Sequence, residues 1–291
     1  MVDMDVWTVI NPVLTSMFYA ATFGSVGSFL FCLHFRELLT EQQRFYCHYL
    51  SRKSTFVGAI VSLLLILSVA GNFGGHILSA TDLLMLQLAV ESKSGIGHLT
   101  AFLGFAIMII AHKLRTKARE IVLIFASLIL FFSFTIAGHS LLGGVFTKLL
   151  LIIHLFCVAF WLGSLLPFRW ICLQADTTNL SELARRFGVI ATIYVGVLIS
   201  AGLTYAYALL EDFSLIFTSN YGNTLLVKIG LVGLLMSLAA FNKFRLVPSL
   251  EDNFTQGVKK FKSSVQIEIF LAILILFTSS LLTTSITLPT T

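Results

Sequence analysis

Residues 148–169 place three chemically useful side chains on one face of a mostly apolar helix. His154 is followed three residues later by Cys157, and Trp161 comes four residues after that. Because residues three and four apart share a helix face, these side chains form one stripe. Imidazole combined with a thiolate or a thioether suits copper, in particular Cu(I). An ionisable residue inside a membrane helix indicates a functional site, so we interpret the stripe as part of a metal site.

The elements that carry this stripe are membrane helices. Of the 291 residues, 57% are hydrophobic and 11% are charged, whereas about a quarter of the residues of a soluble domain are charged. The net charge of +5 comes from cations concentrated in loops, so we do not expect a nucleic-acid partner. Phosphate-binding glycine loops, catalytic triads and HExxH motifs are absent from the sequence, and we assign no catalytic residue.

Hydropathy predicts an all-α fold, a polytopic membrane bundle of eight transmembrane helices. A division near residue 145 gives an N-terminal half of four helices, 1–145, and a C-terminal half of four helices, 146–291. The predicted spans are residues 9–33, 54–72, 97–112, 120–137, 148–170, 186–210, 222–242 and 264–287.

The placement of lysine and arginine predicts the orientation of this bundle. Sixteen of the 19 cations fall in the loops or span ends that follow the first, third, fifth and seventh spans. Cytoplasmic loops of membrane proteins carry the excess of positive charge, so this side is predicted to be cytoplasmic. Both termini are then predicted to face outward.

This orientation places four histidines in one outward-facing layer, on four different helices. Neutral imidazole is the commonest protein metal ligand, and Cys157 adds a softer donor. For each histidine taken alone, the alternative is an interfacial residue that is hydrogen-bonded to water or lipid headgroups. The predicted metal ligands are His76, His98, His139, His154 and Cys157.

Two other ionisable residues lie inside predicted spans. Lys228 either extends its ammonium group outward to the interface or is buried with a functional role. Glu268 lies near the inner end of the last span, where we expect it to form a polar step or to meet a cation. The expected cations are Arg185, Arg186 and Lys243.

A second group of histidines and cysteines lies at the predicted cytoplasmic side. We predict either solvated interface residues or a second site, which would be a metal exit site or a second haem. The group comprises His34 and His112 at span ends, Cys32 nearby, and Cys47 with His48 in the following loop.

Several short motifs of the second half occur in a recognisable order and spacing. They are His154 with the WLG of 161–163, Arg186 with Phe187, the SAG of 200–202, the YGNTLLVK of 221–228, the NKFRLVP of 242–248, and Glu268. In these motifs, over about residues 146–288, the chain resembles the CopD family of bacterial inner-membrane copper resistance proteins. The resemblance implies an eight-span inner-membrane protein. It also implies that copper is handled at the periplasmic face and passed inward, beside a small periplasmic copper-binding protein.

The interpretation that combines these features is a membrane protein that imports copper ions through an outer His/Cys site. The alternative is a b-type haem protein that transfers electrons across the membrane or reduces copper, because histidines on separate helices also ligate haem. We favour a transporter over a haem-dependent reductase, and a scaffold for a periplasmic copper chaperone is a third reading. An absorption spectrum separates the first two, since bound haem gives a Soret band.

Overall fold

The computed structural model is all-α in the part of the chain that it describes, residues 6–137, 144–174, 179–209, 219–252 and 254–285. A 3-10 helix, Ile77–Thr81, follows the second α-helix, and a π-helical turn, Asn242–Leu246, follows the ninth. The α-helices are α1 (Trp7–His34), α2 (Glu41–Gly74), α3 (Leu83–Glu91), α4 (Lys93–Ala111), α5 (Thr116–Ser133), α6 (Gly144–Gly163), α7 (Leu165–Ile171), α8 (Leu180–Leu209), α9 (Asn220–Phe241), α10 (Val247–Asp252) and α11 (Phe254–Thr284).

Within the described residues, seven stretches are long and apolar enough to cross a membrane. They comprise α1, α2, α4, α6 with α7, α8, α9 with α10, and α11. The predicted span that is not among these stretches is the fourth, 120–137, which corresponds to α5, whose 18 residues include Lys117, Arg119 and Glu120. With these three charges α5 lacks what each of the seven stretches has, an apolar run of 18 residues that holds at most two charged side chains. The prediction of an all-α membrane bundle is confirmed, and the eighth crossing stays a prediction.

The helices α4 and α5 run antiparallel. Gly104 in the second half of α4 packs against Leu130, whereas Gly97 near its start approaches the carbonyl of Ser133 at the end of α5. α5 therefore returns the chain to the end of the bundle at which α4 begins. We call the opposite end, where α1 ends at His34 and α2 begins at Glu41, the basic end.

The central helix of the bundle is α1, which packs against α2, α6 and α11. Its contact with α6 is made by backbone, because two glycines face each other. A Cβ added to Gly27 would stand 2.5 Å from the Cα of Gly163, and a Cβ on Gly163 would stand 2.5 Å from the Cα of Gly27. Small residues of this kind allow membrane helices to approach closely. α1 thus joins helices from both predicted halves in one hydrophobic core.

The second helix begins at Glu41, well before the predicted span 54–72. Thr40 caps it, because its hydroxyl accepts from the Gln43 amide at 3.3 Å while the Gln43 side chain accepts from the Thr40 amide at 3.0 Å. Cys47 and His48 therefore lie on α2, and their prediction as loop residues is wrong. Hydropathy marks only the apolar part of a helix and misses its polar extension.

Candidate metal-handling site

Cys157 and Trp161 point into a small apolar cluster between four helices. Both side chains are buried, and they pack with Leu198 of α8, Leu235 of α9 and Ile275 of α11. The helix α6 therefore turns this face toward the last helices of the chain. At Cys157 and Trp161, the predicted stripe of α6 therefore faces other helices of the bundle.

The ring of His154 lies on the same side of α6, against α8. A Cβ added to Gly202 would stand 3.2 Å from His154 Nδ1, so the glycine makes room for the imidazole. The backbone of Leu198 is hydrogen-bonded to the ring, and since Nδ1 is without a partner among the described residues, this bond is assigned to Nε2. Its Nδ1 atom is buried and has no hydrogen-bond partner among the described residues. Buried polar atoms without a partner are rare, and a neutral imidazole nitrogen of this kind is a metal donor.

Lys228 of α9 is the charged side chain that acts electrostatically on His154. It is half-buried, and no ion pair joins it to a carboxylate within the described residues. Because like charges repel, a charged Lys228 disfavours a cation bound at His154.

Glu268 of α11 is buried in a short polar network between α9 and α11. Its Oε1 accepts a hydrogen bond from Asn242 Nδ2 at 3.0 Å, and Ser264 Oγ donates to Asn242 Oδ1 at 2.5 Å. Asn242 is the first residue of the π-helical turn, a structure frequent at functional sites. The carboxyl group is held by an amide, and no ion pair to it is found among the described residues.

The cations predicted to meet Glu268 bind elsewhere, so that prediction is wrong. Two of these cations are exposed and the third is half-buried, whereas Glu268 is buried. They are Arg185 and Arg186, which bind Glu182 at 2.8 and 2.6 Å, and Lys243, whose Nζ donates to Thr192 Oγ1 at 2.6 Å.

The other predicted outer ligands have separate surroundings. His76 is exposed and caps the 3-10 helix, with its Nδ1 accepting from the Ser79 amide at 3.2 Å. His98 is half-buried and packs edge-on against Phe18 of α1. His139 lies outside the described residues. Within the ranges that are described, no three His, Cys, Asp or Glu side chains form a group that could hold a metal ion.

The inner histidines bind protein groups. The ring of His34 is engaged on both sides, with Nδ1 2.9 Å from the Leu30 carbonyl and Nε2 3.1 Å from the Tyr194 hydroxyl. His112 Nε2 lies 3.5 Å from Ser51 Oγ. Because both ring nitrogens of His34 already contact protein groups, the structure does not favour His34 as a haem ligand.

A comparison with protein families finds a match in the second half of the chain, which contains several of the residues described above. The family model described as copper resistance protein D, CopD, matches residues 181–282. The chain carries a CopD family domain. No curated protein and no solved structure matches the chain. With seven apolar stretches in the part of the chain that is described, the molecule is a multi-pass membrane protein with a CopD domain at residues 181–282.

The CopD domain covers only part of the predicted resemblance. Gly202, Lys228 and Glu268 lie inside the matched residues, whereas His154 and Cys157 precede them on α6. The candidate site is therefore completed by a helix outside the matched region. The expectation of a CopD relationship is confirmed for residues 181–282, and its extension to residue 146 stays a prediction.

Sequence reasoning missed the partner of Glu268. Asn242 opens the NKFRLVP run, which the sequence analysis used only for the resemblance. An amide at the end of an apolar span is the signal that could have indicated a buried polar partner. Asn242 and Glu268 are 26 residues apart in the sequence, and nothing in this separation indicated that their side chains meet.

Proposed function

We propose that this CopD-domain protein imports copper ions across the bacterial inner membrane, with His154 as the first intramembrane ligand. The buried, unpartnered Nδ1 of His154 is the observation that carries the proposal. Cys157 follows on the same helix face, about 4.5 Å further along the axis. Imidazole and thiolate together suit Cu(I), so the pair supplies both donors without a third protein ligand being required.

The path continues between α6, α8, α9 and α11 toward Glu268. From His154, the face of α6 runs through Cys157 toward the basic end, where Glu268 and Asn242 lie near the end of α9. Lys228 stands at the start of this path, where its charged form disfavours entry of a cation. The basic end corresponds to the predicted cytoplasmic side, so import on this path means movement from His154 toward Glu268.

His154→Ala is expected to lower copper affinity by at least about 100-fold while the protein still folds, because it removes the donor nitrogen. Cys157→Ser is expected to weaken Cu(I) binding, since a hydroxyl is a poorer ligand than a thiolate for this soft ion. The measurement is copper content by elemental analysis, together with a Cu(I) titration of each purified full-length variant.

The matched control is His34→Gln, at a histidine whose two ring nitrogens already bind protein groups. It is expected to retain wild-type copper binding. Wild-type affinity in His154→Ala would show that the proposed ligand is wrong and that the ring only packs against Gly202. His76→Ala and His98→Ala, in the same titration, test the remaining described members of the predicted outer layer.

The proposed orientation has eight crossings, with α5 as the fourth, and both termini in the periplasm. A reporter enzyme that is active only in the cytoplasm is expected to be silent when it is fused after Thr291. The same reporter is expected to be active when it is fused after Lys113, between α4 and α5. Activity of the fusion after Thr291 would contradict this topology and leave an odd number of crossings.

The haem alternative is tested on the same wild-type sample. A Soret band that disappears in His154→Ala would assign the imidazole to haem rather than to copper. A small periplasmic copper-binding protein is the proposed donor of the ion. It would deliver copper at the end of the bundle opposite the basic end, where α6 begins.

A further inference from the structure

A cavity of about 350 Å³ lies at the basic end, between α1, α2 and the start of α5. It is outside the residues that match the CopD domain, and the proposed copper path does not use it. Three arginines line it, Arg36, Arg44 and Arg119, together with the two carboxylates of Glu41 and Glu120. The lining therefore carries one positive charge in excess.

The excess charge is not distributed evenly over the three arginines. Arg36 Nη1 binds Glu120 Oε1 at 3.0 Å, which neutralises that pair. Arg44 makes only a long contact to the carbonyl of Arg36, at 3.4 Å. Arg119 makes no ion pair within the described residues, although its Nε atom is buried. Arg44 and Arg119 are thus the two guanidinium groups left to bind a ligand.

Arg119 and His48 present two buried N–H donors that have no partner among the described residues. Arg119 Nη2 lies 3.3 Å from His48 Nε2, and a guanidinium can only donate, so Nε2 is the acceptor. The proton of a neutral His48 is then on Nδ1. The two unpartnered atoms are His48 Nδ1 and Arg119 Nε, and both are donors. Two such donors beside a cavity with an excess of positive charge favour an anionic ligand over a metal ion.

The rest of the lining is apolar and reaches the protein surface. The wall is completed by Phe29, Cys32, Leu33 and Phe45, and Phe45 is 72% exposed. An aromatic side chain beside guanidinium groups at the membrane end matches a molecule with a phosphate and an apolar tail. Basic pockets between membrane helices on the cytoplasmic side bind the headgroups of anionic lipids.

We propose that this cavity binds the phosphate of an anionic phospholipid. The phosphate accepts hydrogen bonds from Arg119 and Arg44, and the lipid chains run along Phe45. A guanidinium group binds phosphate oxygens through two parallel N–H donors, so Arg119 is the specificity-determining residue. This inference is independent of the copper proposal, because it uses none of the residues of that path.

The test is thermal unfolding of the detergent-solubilised full-length protein, titrated with short-chain phosphatidylglycerol. Phosphatidylglycerol is expected to raise the unfolding temperature, whereas phosphatidylcholine and inorganic phosphate are expected to leave it unchanged. Arg119→Gln is expected to weaken phosphatidylglycerol binding at least tenfold, and Arg44→Gln is the second variant should Arg119→Gln not fold. Arg115→Gln is the matched control, because Arg115 is an exposed arginine one turn away that does not line the cavity.

The outcomes separate the possible ligands. An equal shift with inorganic phosphate would overturn the lipid assignment in favour of a free anion. An equal shift with phosphatidylcholine, or a full phosphatidylglycerol shift in both Arg119→Gln and Arg44→Gln, would overturn the site itself. Copper content of the same variants is expected to equal that of the wild type, so failure of this inference is distinguishable from failure of the import proposal.

Discussion

Gly163→Ala is expected to prevent α1 and α6 from packing and to leave little folded protein. The added methyl group would stand 2.5 Å from the Cα of Gly27 and still closer to the carbonyl oxygen of Phe23. Both neighbours are backbone atoms of the central helix, so no side chain can rotate away. Overpacking typically costs about 1–3 kcal/mol, and a clash between two backbones lies at or above the upper limit.

The measurement is the yield of monodisperse protein by size-exclusion chromatography in detergent, followed by its unfolding temperature. Gly27→Ala is expected to have the same effect, because its Cβ would meet Gly163 and the carbonyl of Ala159. Gly230→Ala is the matched control on α9, where an added Cβ meets nothing within 4 Å. It is expected to be neutral or stabilising by up to about 1 kcal/mol, since alanine is the better helix former. Wild-type yield and stability for Gly163→Ala would refute the backbone contact.

Glu268→Gln is expected to abolish copper uptake while the fold is retained. Glutamine has almost the same shape, and its side-chain carbonyl can still accept from Asn242 Nδ2, so the buried network survives. The glutamine amide does not ionise, so the variant loses a group that can carry a negative charge or exchange a proton on the proposed path. The measurements are copper accumulation by cells that express the variant and the unfolding temperature of the purified protein.

The companion variant Asn242→Leu removes the amide and leaves the buried carboxyl group without its donor. Loss of a partner for a buried polar group costs about 1–3 kcal/mol, so this variant is expected to lose stability as well as uptake. Glu251→Gln is the control, at an exposed glutamate on α10. Normal copper uptake in Glu268→Gln would show that the carboxyl group has only a structural role in the network.

The fold class follows from the sequence because lipid imposes a simple condition. Every backbone polar group must be satisfied inside the membrane, so long apolar stretches form helices whatever their neighbours are. The stripe of His154, Cys157 and Trp161 is also predictable, since helical spacing alone places its members on one face. Helix ends are less predictable from hydropathy, because Thr40 and Gln43 extend α2 beyond its apolar part.

The partners of these residues were decided only by the tertiary structure. Nothing in the local sequence of Glu268 distinguishes the amide of Asn242 from the cations nearby, because the choice depends on which faces of α9 and α11 meet. The pairing of Arg119 with His48 likewise depends on the start of α5 lying within side-chain reach of α2 at the basic end.

Local pattern therefore determined the helices of this protein and the face on which each candidate ligand lies. Packing between helices decided which of those ligands lack a partner. His76 caps its own turn and His34 is held by Tyr194, whereas the Nδ1 of His154 lies buried beside Gly202 without a described partner. The physical reason is that hydrogen-bond satisfaction depends on atoms far apart in the chain, which only the folded bundle brings within about 3 Å of one another.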